Sequence, residues 1–254
     1  MTTRDRPTDM GINRTGIALS PIDGPATIEG ANAGLPSSTG SARALAEVRV
    51  QYTRESSPVG HMPPPVTLRG VATTAVEMIK GNKPTVLLDK LGERLAFERT
   101  GVRLFDGLIA KYEASGSWPG GPTLEELVQF RNEEAQHFDL VKDVLVGLGA
   151  DPTAMTPSAD LAGVESMGIL QAINDPRNKL PEALHAHLIA ELADVASWEL
   201  LITLTEGLGH EEMGARFRVA LAHEIHHKES VTRWLAWHAE AAAKGEPTTK
   251  ATAS

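Results

Sequence analysis

Residues 127–148 read LVQFRNEEAQHFDLVKDVLVGL, and the reading of this stretch decides the fold. Followed in steps of three and four it gives Leu127, Phe130, Glu134, His137, Val141, Val144 and Leu148. That is an apolar stripe of helical period, broken only at its middle by a carboxylate and an imidazole. Residues 213–234, MGARFRVALAHEIHHKESVTRW, repeat the pattern as Met213, Phe217, Ala220, Glu224, His227, Val231 and Trp234. Two further stripes carry a single acid in the same place: Leu91, Leu95, Glu98, Val102, Phe105, Ile109, and Leu184, Leu188, Glu191, Val195, Trp198, Ile202. Neighbouring acids behave differently. The same steps through Glu133 give Glu126, Gln129, Gln136 and Leu140, and through Glu199 they give Leu192, Ala196, Thr203 and Glu206. Glu133 and Glu199 therefore read as ordinary solvated charges.

Working outward, the helical period extends over about 85–114, 123–148, 181–207 and 211–243, separated by the turn-rich SGSWPGGP (115–122), GADPTAMTPSAD (149–160), NDPRNKLP (174–181) and GLGH (207–210). No segment shows the alternation of a half-buried strand. The expectation is an all-α fold, a four-helix bundle over 85–243. Its one long connection, 149–181, has a short helix near 161–173 and runs back along the bundle, so that the second and third helices are parallel and each short turn makes an antiparallel hairpin. Residues 1–84 hold 9 of the 16 prolines and only one of the 11 aromatics, Tyr52, too little bulk to bury against the entropy of ordering. Residues 1–64 are expected to form a largely extended or disordered arm, 65–84 a short helix and linker centred on 65–80, and 244–254 a C-terminal tail.

Composition narrows the function classes. The 254 residues contain no cysteine, which removes disulfides, thiolate metal sites and a cysteine nucleophile. The net charge of −9 falls unevenly: residues 1–84 carry +2 and the remainder −11. Nucleic acid is a poor partner for such a domain and metal cations are good ones. There is no apolar run of membrane-spanning length and no apolar signal core, so no membrane association and a cytoplasmic location are expected.

Two residues of an antiparallel hairpin share a height when the turn lies midway between them. Glu98 and Glu134 have their midpoint at 116, inside SGSWPGGP, and Glu191 and Glu224 have theirs between Gly207 and Leu208, inside GLGH. All four acids then meet at one level. Bare burial would cost several kcal/mol for each carboxylate, or force protonation. Two divalent cations would cancel the four charges, and carboxylates with two imidazoles suit Fe or Mn.

One Glu on each of two helices and Glu-x-x-His on the other two resembles the ferritin-like di-iron carboxylate proteins, among them ferritins, bacterioferritins, rubrerythrins and di-manganese catalases. The matching pieces are ERTGVRLFDGL (98–108), EAQH (134–137), ELADVASW (191–198) and EIHH (224–227), within about residues 85–243. The resemblance implies Glu98 and Glu191 as terminal ligands, Glu134 and Glu224 as bridging ligands, and His137 and His227 as one imidazole per metal. It implies two Fe ions, with Mn as the alternative, and O2- or peroxide-dependent metal oxidation by a ferroxidase or related oxidoreductase, with O2 or H2O2 as the small-molecule substrate. A rubrerythrin's Cys-x-x-Cys module is excluded, and some 84 residues before the bundle set the chain apart from a plain cage ferritin. Homo-oligomerisation stays open.

Three rival readings share these residues. A buried hydrogen-bonded network with no metal is the plainest. His223, Glu224 and His227 spell the zincin motif His-Glu-x-x-His, but that leaves Glu98, Glu134, His137 and Glu191 without a purpose. A third makes the bundle a metal-binding scaffold or cargo, recruited to a protein partner through the N-terminal arm with its GINRTGIALSPI (11–22). His223 and His226 flank the motif as candidate partners of the ligands, while His185, His187, His210, His226 and His238 are otherwise assigned mostly to solvent. Trp198 and Trp234 read as core filling, and Tyr112 lies too far along its helix to reach the acids.

Overall fold

A computed structural model describes residues 20–33, 41–57, 59–60, 62–63, 67–68, 70 and 83–246. Among these it is all-helical, with α1 Asp23–Asn32, α2 Ala42–Glu55, α3 Pro84–Ser115, α4 Leu124–Gly147, α5 Pro157–Asn174, α6 Leu180–Gly207 and α7 Glu211–Lys244. The chain divides into two compact units, residues 1–58 and 59–254.

In the first unit the expectation of an extended or disordered arm is corrected for two stretches, which are helices α1 and α2. Helix α2 begins where the Ser41 side chain accepts a hydrogen bond from Ala44 N–H, and it is laced by Arg43–Glu47 and Gln51–Glu55 contacts at 3.0 and 2.8 Å. It buries none of its residues. A segment poor in aromatics buries little, but this helix needs no burial because it rests on local propensity and capping. The helix expected over 65–80 lies outside the described residues, apart from 67, 68 and 70, and so does the C-terminal tail from 247 onward.

In the second unit the four long helices start and stop within a residue or so of the expected places. Helix α4 opens with a reciprocal cap in which the Thr123 hydroxyl accepts from Glu126 N–H and Glu126 accepts from Thr123 N–H. Helices α3, α5 and α6 each carry a proline in the first turn, where its missing N–H is harmless. Helix α7 packs on α6, α3 on α4, α3 on α6, and α4 more thinly on α7.

Two apolar layers fix the chain direction of each helix. One is built from Leu87, Leu91, Leu95, Val141, Val144, Trp198, Leu201 and Phe217, and the other from Phe105, Leu108, Leu127, Phe130, Leu180, Leu184, Val231 and Trp234. Helices α3 and α7 run from the first layer to the second, and α4 and α6 run from the second to the first. Helices α4 and α6 are thus parallel, each antiparallel to its hairpin partner. The crossover makes this possible. Helix α5 lies on α3 and α6, held at its start by Ser158 N–H and Oγ donating to the Asp89 carboxylate at 2.9 and 2.6 Å. At its end Lys111 Nζ donates to Asp175 O at 2.7 Å, so α5 returns the chain along the length of α3. No helix of the described residues is long and apolar enough to cross a membrane.

Candidate metal centre

Between the two apolar layers lies a polar one. Glu98 on α3, Glu134 and His137 on α4, Glu191 on α6, and Glu224 and His227 on α7 are all buried there. The structure brings together all six residues singled out by the stripes. Each histidine turns its Nδ1 inward. His137 Nδ1 stands 2.6 Å from Glu224 Oε1 and 3.6 Å from Glu98 Oε2. His227 Nδ1 faces Glu224 Oε2 at 3.3 Å, Glu134 Oε1 at 3.6 Å and Glu191 Oε2 at 3.9 Å.

These contacts sort into two overlapping groups whose ligand atoms lie within 4.8 Å of one another: Glu98, Glu134, His137 and Glu224, and Glu134, Glu191 and His227. Atoms bonded at about 2.1 Å to one six-coordinate cation stand about 3 Å apart when adjacent, so groups at these separations could hold a metal ion. The 2.6 Å separation of His137 Nδ1 and Glu224 Oε1 is that of an imidazole–carboxylate contact, whereas the buried Glu134 Oε2 has no hydrogen-bond partner among the described residues. The two groups share Glu134, and carboxylate and imidazole are donor types that transition metals such as Fe and Mn accept. The zincin pair does not form: His223 belongs to neither group, and its Nδ1 pairs instead with His137 Nε2 at 3.1 Å.

The outer faces of these residues are held by side chains that the stripes passed over. Arg94, only 2 % exposed, lays Nε 2.6 Å from Glu98 Oε1 and Nη2 2.7 Å from Asp194 Oδ1, joining α3 to α6. Its guanidinium also lies over the Phe97 and Trp198 rings, at 4.6 and 5.5 Å. His187, expected in solvent, is buried, with Nε2 2.7 Å from Glu191 Oε1 and its ring 4.4 Å from that of Phe105. Glu133, expected to be a solvated charge, places Oε2 2.7 Å from His227 Nε2. Gly101, one turn beyond Glu98, leaves the space that the Glu134 carboxylate fills.

The buried acids and imidazoles shift one another's titration. Burial, reinforced by the Glu224 charge, pushes Glu134 well above the ordinary carboxylate range. Burial alone would raise Glu224 too, but contacts from both imidazoles hold it down at about 2. Burial would lower His137, yet Glu224 and Glu98 outweigh it and raise the imidazole to about 10; His227 moves upward in the same sense through Glu133, Glu134 and Glu224. The His227 contact lowers Glu133 to about 2.

Comparison with family models, with curated proteins and with solved structures found no match to this chain.

Proposed function

We propose that the second unit is a ferritin-like four-helix bundle holding two transition-metal ions, iron with manganese as the alternative, and that it carries out O2- or peroxide-dependent metal oxidation as a ferroxidase or related oxidoreductase. One observation carries this reading. Glu134 belongs to both donor groups, while Glu224 turns Oε1 to one histidine and Oε2 to the other, so the six residues form one dinuclear set.

In it Glu98 and His137 would hold one ion, Glu191 and His227 the other, and Glu134 and Glu224 would be available to both. When bound, such a pair supplies two adjacent one-electron couples, the electron count needed to reduce O2 or peroxide by two electrons. The protein's part is to prepare the place. Four carboxylates balance the charge of two divalent cations in an interior that would otherwise reject either. The apolar layers on both sides exclude bulk water and leave the ligating atoms facing inward. His223 and Glu133 hold the outer nitrogens of the two imidazoles, fixing which nitrogen faces the ions.

The test is anaerobic loading with Fe(II) followed by admission of air. Rapid Fe(II)-dependent O2 uptake by the native chain, reduced to the buffer rate in Glu134→Gln, supports the reading. Oxidation at the buffer rate in both contradicts it. Helix α2 favours a second role beside the first, recruitment of this unit to a partner, because Leu45, Val48 and Tyr52 share one helical face and all stand exposed. Deleting residues 1–58 tests it: partner capture lost with Fe(II) oxidation intact supports recruitment, and unchanged capture contradicts it.

A further inference from the structure

The contacts behind the six ligating residues differ between the two halves of the centre. Behind His137 stands an imidazole: its Nε2 meets Nδ1 of His223 at 3.1 Å, and the two rings stack at 5.3 Å between centroids and 23° between planes. Behind His227 stands an anion, since its Nε2 meets the Glu133 carboxylate at 2.7 Å. Behind Glu98 stands a cation: Arg94 Nε engages Oε1 at 2.6 Å, and its charge is shared with Asp194. Behind Glu191 stands an imidazole, with His187 Nε2 on Oε1 at 2.7 Å.

Each difference acts in the same direction. A carboxylate on the outer nitrogen makes an imidazole a stronger donor, whereas an imidazole partner does so weakly. A guanidinium on a carboxylate withdraws electron density from the oxygen left for the metal and adds a positive charge near the cation. The Glu98–His137 half thus has a guanidinium on its carboxylate and an imidazole on its histidine. The Glu191–His227 half has an imidazole on its carboxylate and the Glu133 carboxylate on its histidine.

We infer that the two metal positions are inequivalent: Glu133 makes the Glu191–His227 position the tight one that fills first, and Arg94 keeps the Glu98–His137 position the weaker one that fills second and exchanges. Glu133 and Arg94 are positioning residues, acting through His227 and Glu98. This rests on the dinuclear reading above and gives that site an order of filling, with one retained ion and one exchangeable ion.

Mn(II), stable in air, is the probe. Titration of the metal-free full-length chain, followed by calorimetry and by low-temperature electron paramagnetic resonance, is expected to show two steps. The first equivalent gives the six-line signal of an isolated ion, and the second replaces it with the broadened signal of a coupled pair. Glu133→Gln keeps the shape and removes the charge at a position that is partly exposed, and it is expected to weaken the first step about 10- to 100-fold so that the steps merge. His137→Gln retains one tightly held Mn(II), and His227→Gln retains only a weak one. Two steps of equal strength in the native chain, or Glu133→Gln weakening only the second step, would overturn the inequivalence while leaving the dinuclear site standing. Absence of any bound Mn(II) from the folded chain would overturn both.

Discussion

Gly101 and Glu134 face each other across α3 and α4 so closely that the carboxylate of one occupies the place where a side chain of the other would be. A methyl group at 101 would overlap Glu134 Oε2 and its carboxyl carbon. In the interior of a helix, alanine is favoured over glycine by roughly 0.5–1 kcal/mol.

Gly101→Ala is therefore expected to separate stability from metal binding. Local propensity favours the variant and the collision falls on one side chain, so the thermal midpoint holds or rises while metal affinity drops by at least about tenfold. Paired thermal unfolding and Mn(II) titration check this. Unaltered affinity would mean that Glu134 can move aside and still bind.

The acids themselves should destabilise the metal-free chain. Glu134 is buried beside Glu224, Glu98 and Glu191 with one oxygen unpaired, and its pKa is driven up by that burial and those charges. Replacing it with a residue of similar size and no charge, as in Glu134→Leu, is expected to stabilise the metal-free protein by about 1–3 kcal/mol and to abolish metal binding. Chemical denaturation with chelator present measures the first effect. A variant less stable than the metal-free native chain would contradict it.

Arg94 behaves oppositely, because its removal strands two carboxylates. Arg94→Met leaves Glu98 and Asp194 buried without their cation and is expected to cost about 3–5 kcal/mol. Adding Asp194→Leu should recover part of that loss, giving a coupling of more than about 1 kcal/mol in a double-mutant cycle. Strictly additive effects would show that the pair does not interact as placed.

The raised histidines set the pH dependence. His137 titrates at about 10 in the metal-free fold against 6.5 unperturbed, so its pairing stabilises the fold fully below pH 6.5 and is lost as the pH climbs through 10. Glu224, held at about 2 against 4.5, contributes above pH 4.5 and loses its contribution as the pH falls through 2. A metal ion needs both imidazoles deprotonated. Metal affinity is thus expected to rise with pH between 6 and 9, and loading at pH 7 should release about two protons per chain from the histidines, with any proton on Glu134 adding to them. Titration in weakly buffered solution with a pH indicator counts the protons. Loading without proton release would refute the protonated starting state.

The sequence revealed the six inward-facing residues because each broke an apolar stripe, and the two short turns put them at one height. Their supporting residues lie off those stripes. A core face is wide enough to include positions three and four residues away, and at each fork the stripe followed the apolar option: Leu95 rather than Arg94, Leu188 rather than His187, Val195 rather than Asp194. In each case the polar alternative is buried as well. Runs such as Arg94-x-x-x-Glu98 and His187-x-x-x-Glu191, each one helical turn apart, carried the missing signal. Glu133 escaped because its own row along α4 is polar, and its partner, His227, lies 94 residues away on another helix. The helices of residues 1–58 escaped because apolar content measures burial, and α2 buries nothing.

The most direct measurement of the central claim is metal content. Full-length protein purified from iron-replete cells, desalted and analysed by inductively coupled plasma mass spectrometry, is expected to carry close to two Fe or Mn ions per chain. In Glu134→Gln and in Glu224→Gln that number should fall well below two, since on this account each change removes a carboxylate that both positions would share. Fewer than about one ion per native chain, after the folded protein has also been offered Fe(II) and Mn(II) directly, would contradict it and leave the six residues as a buried polar network.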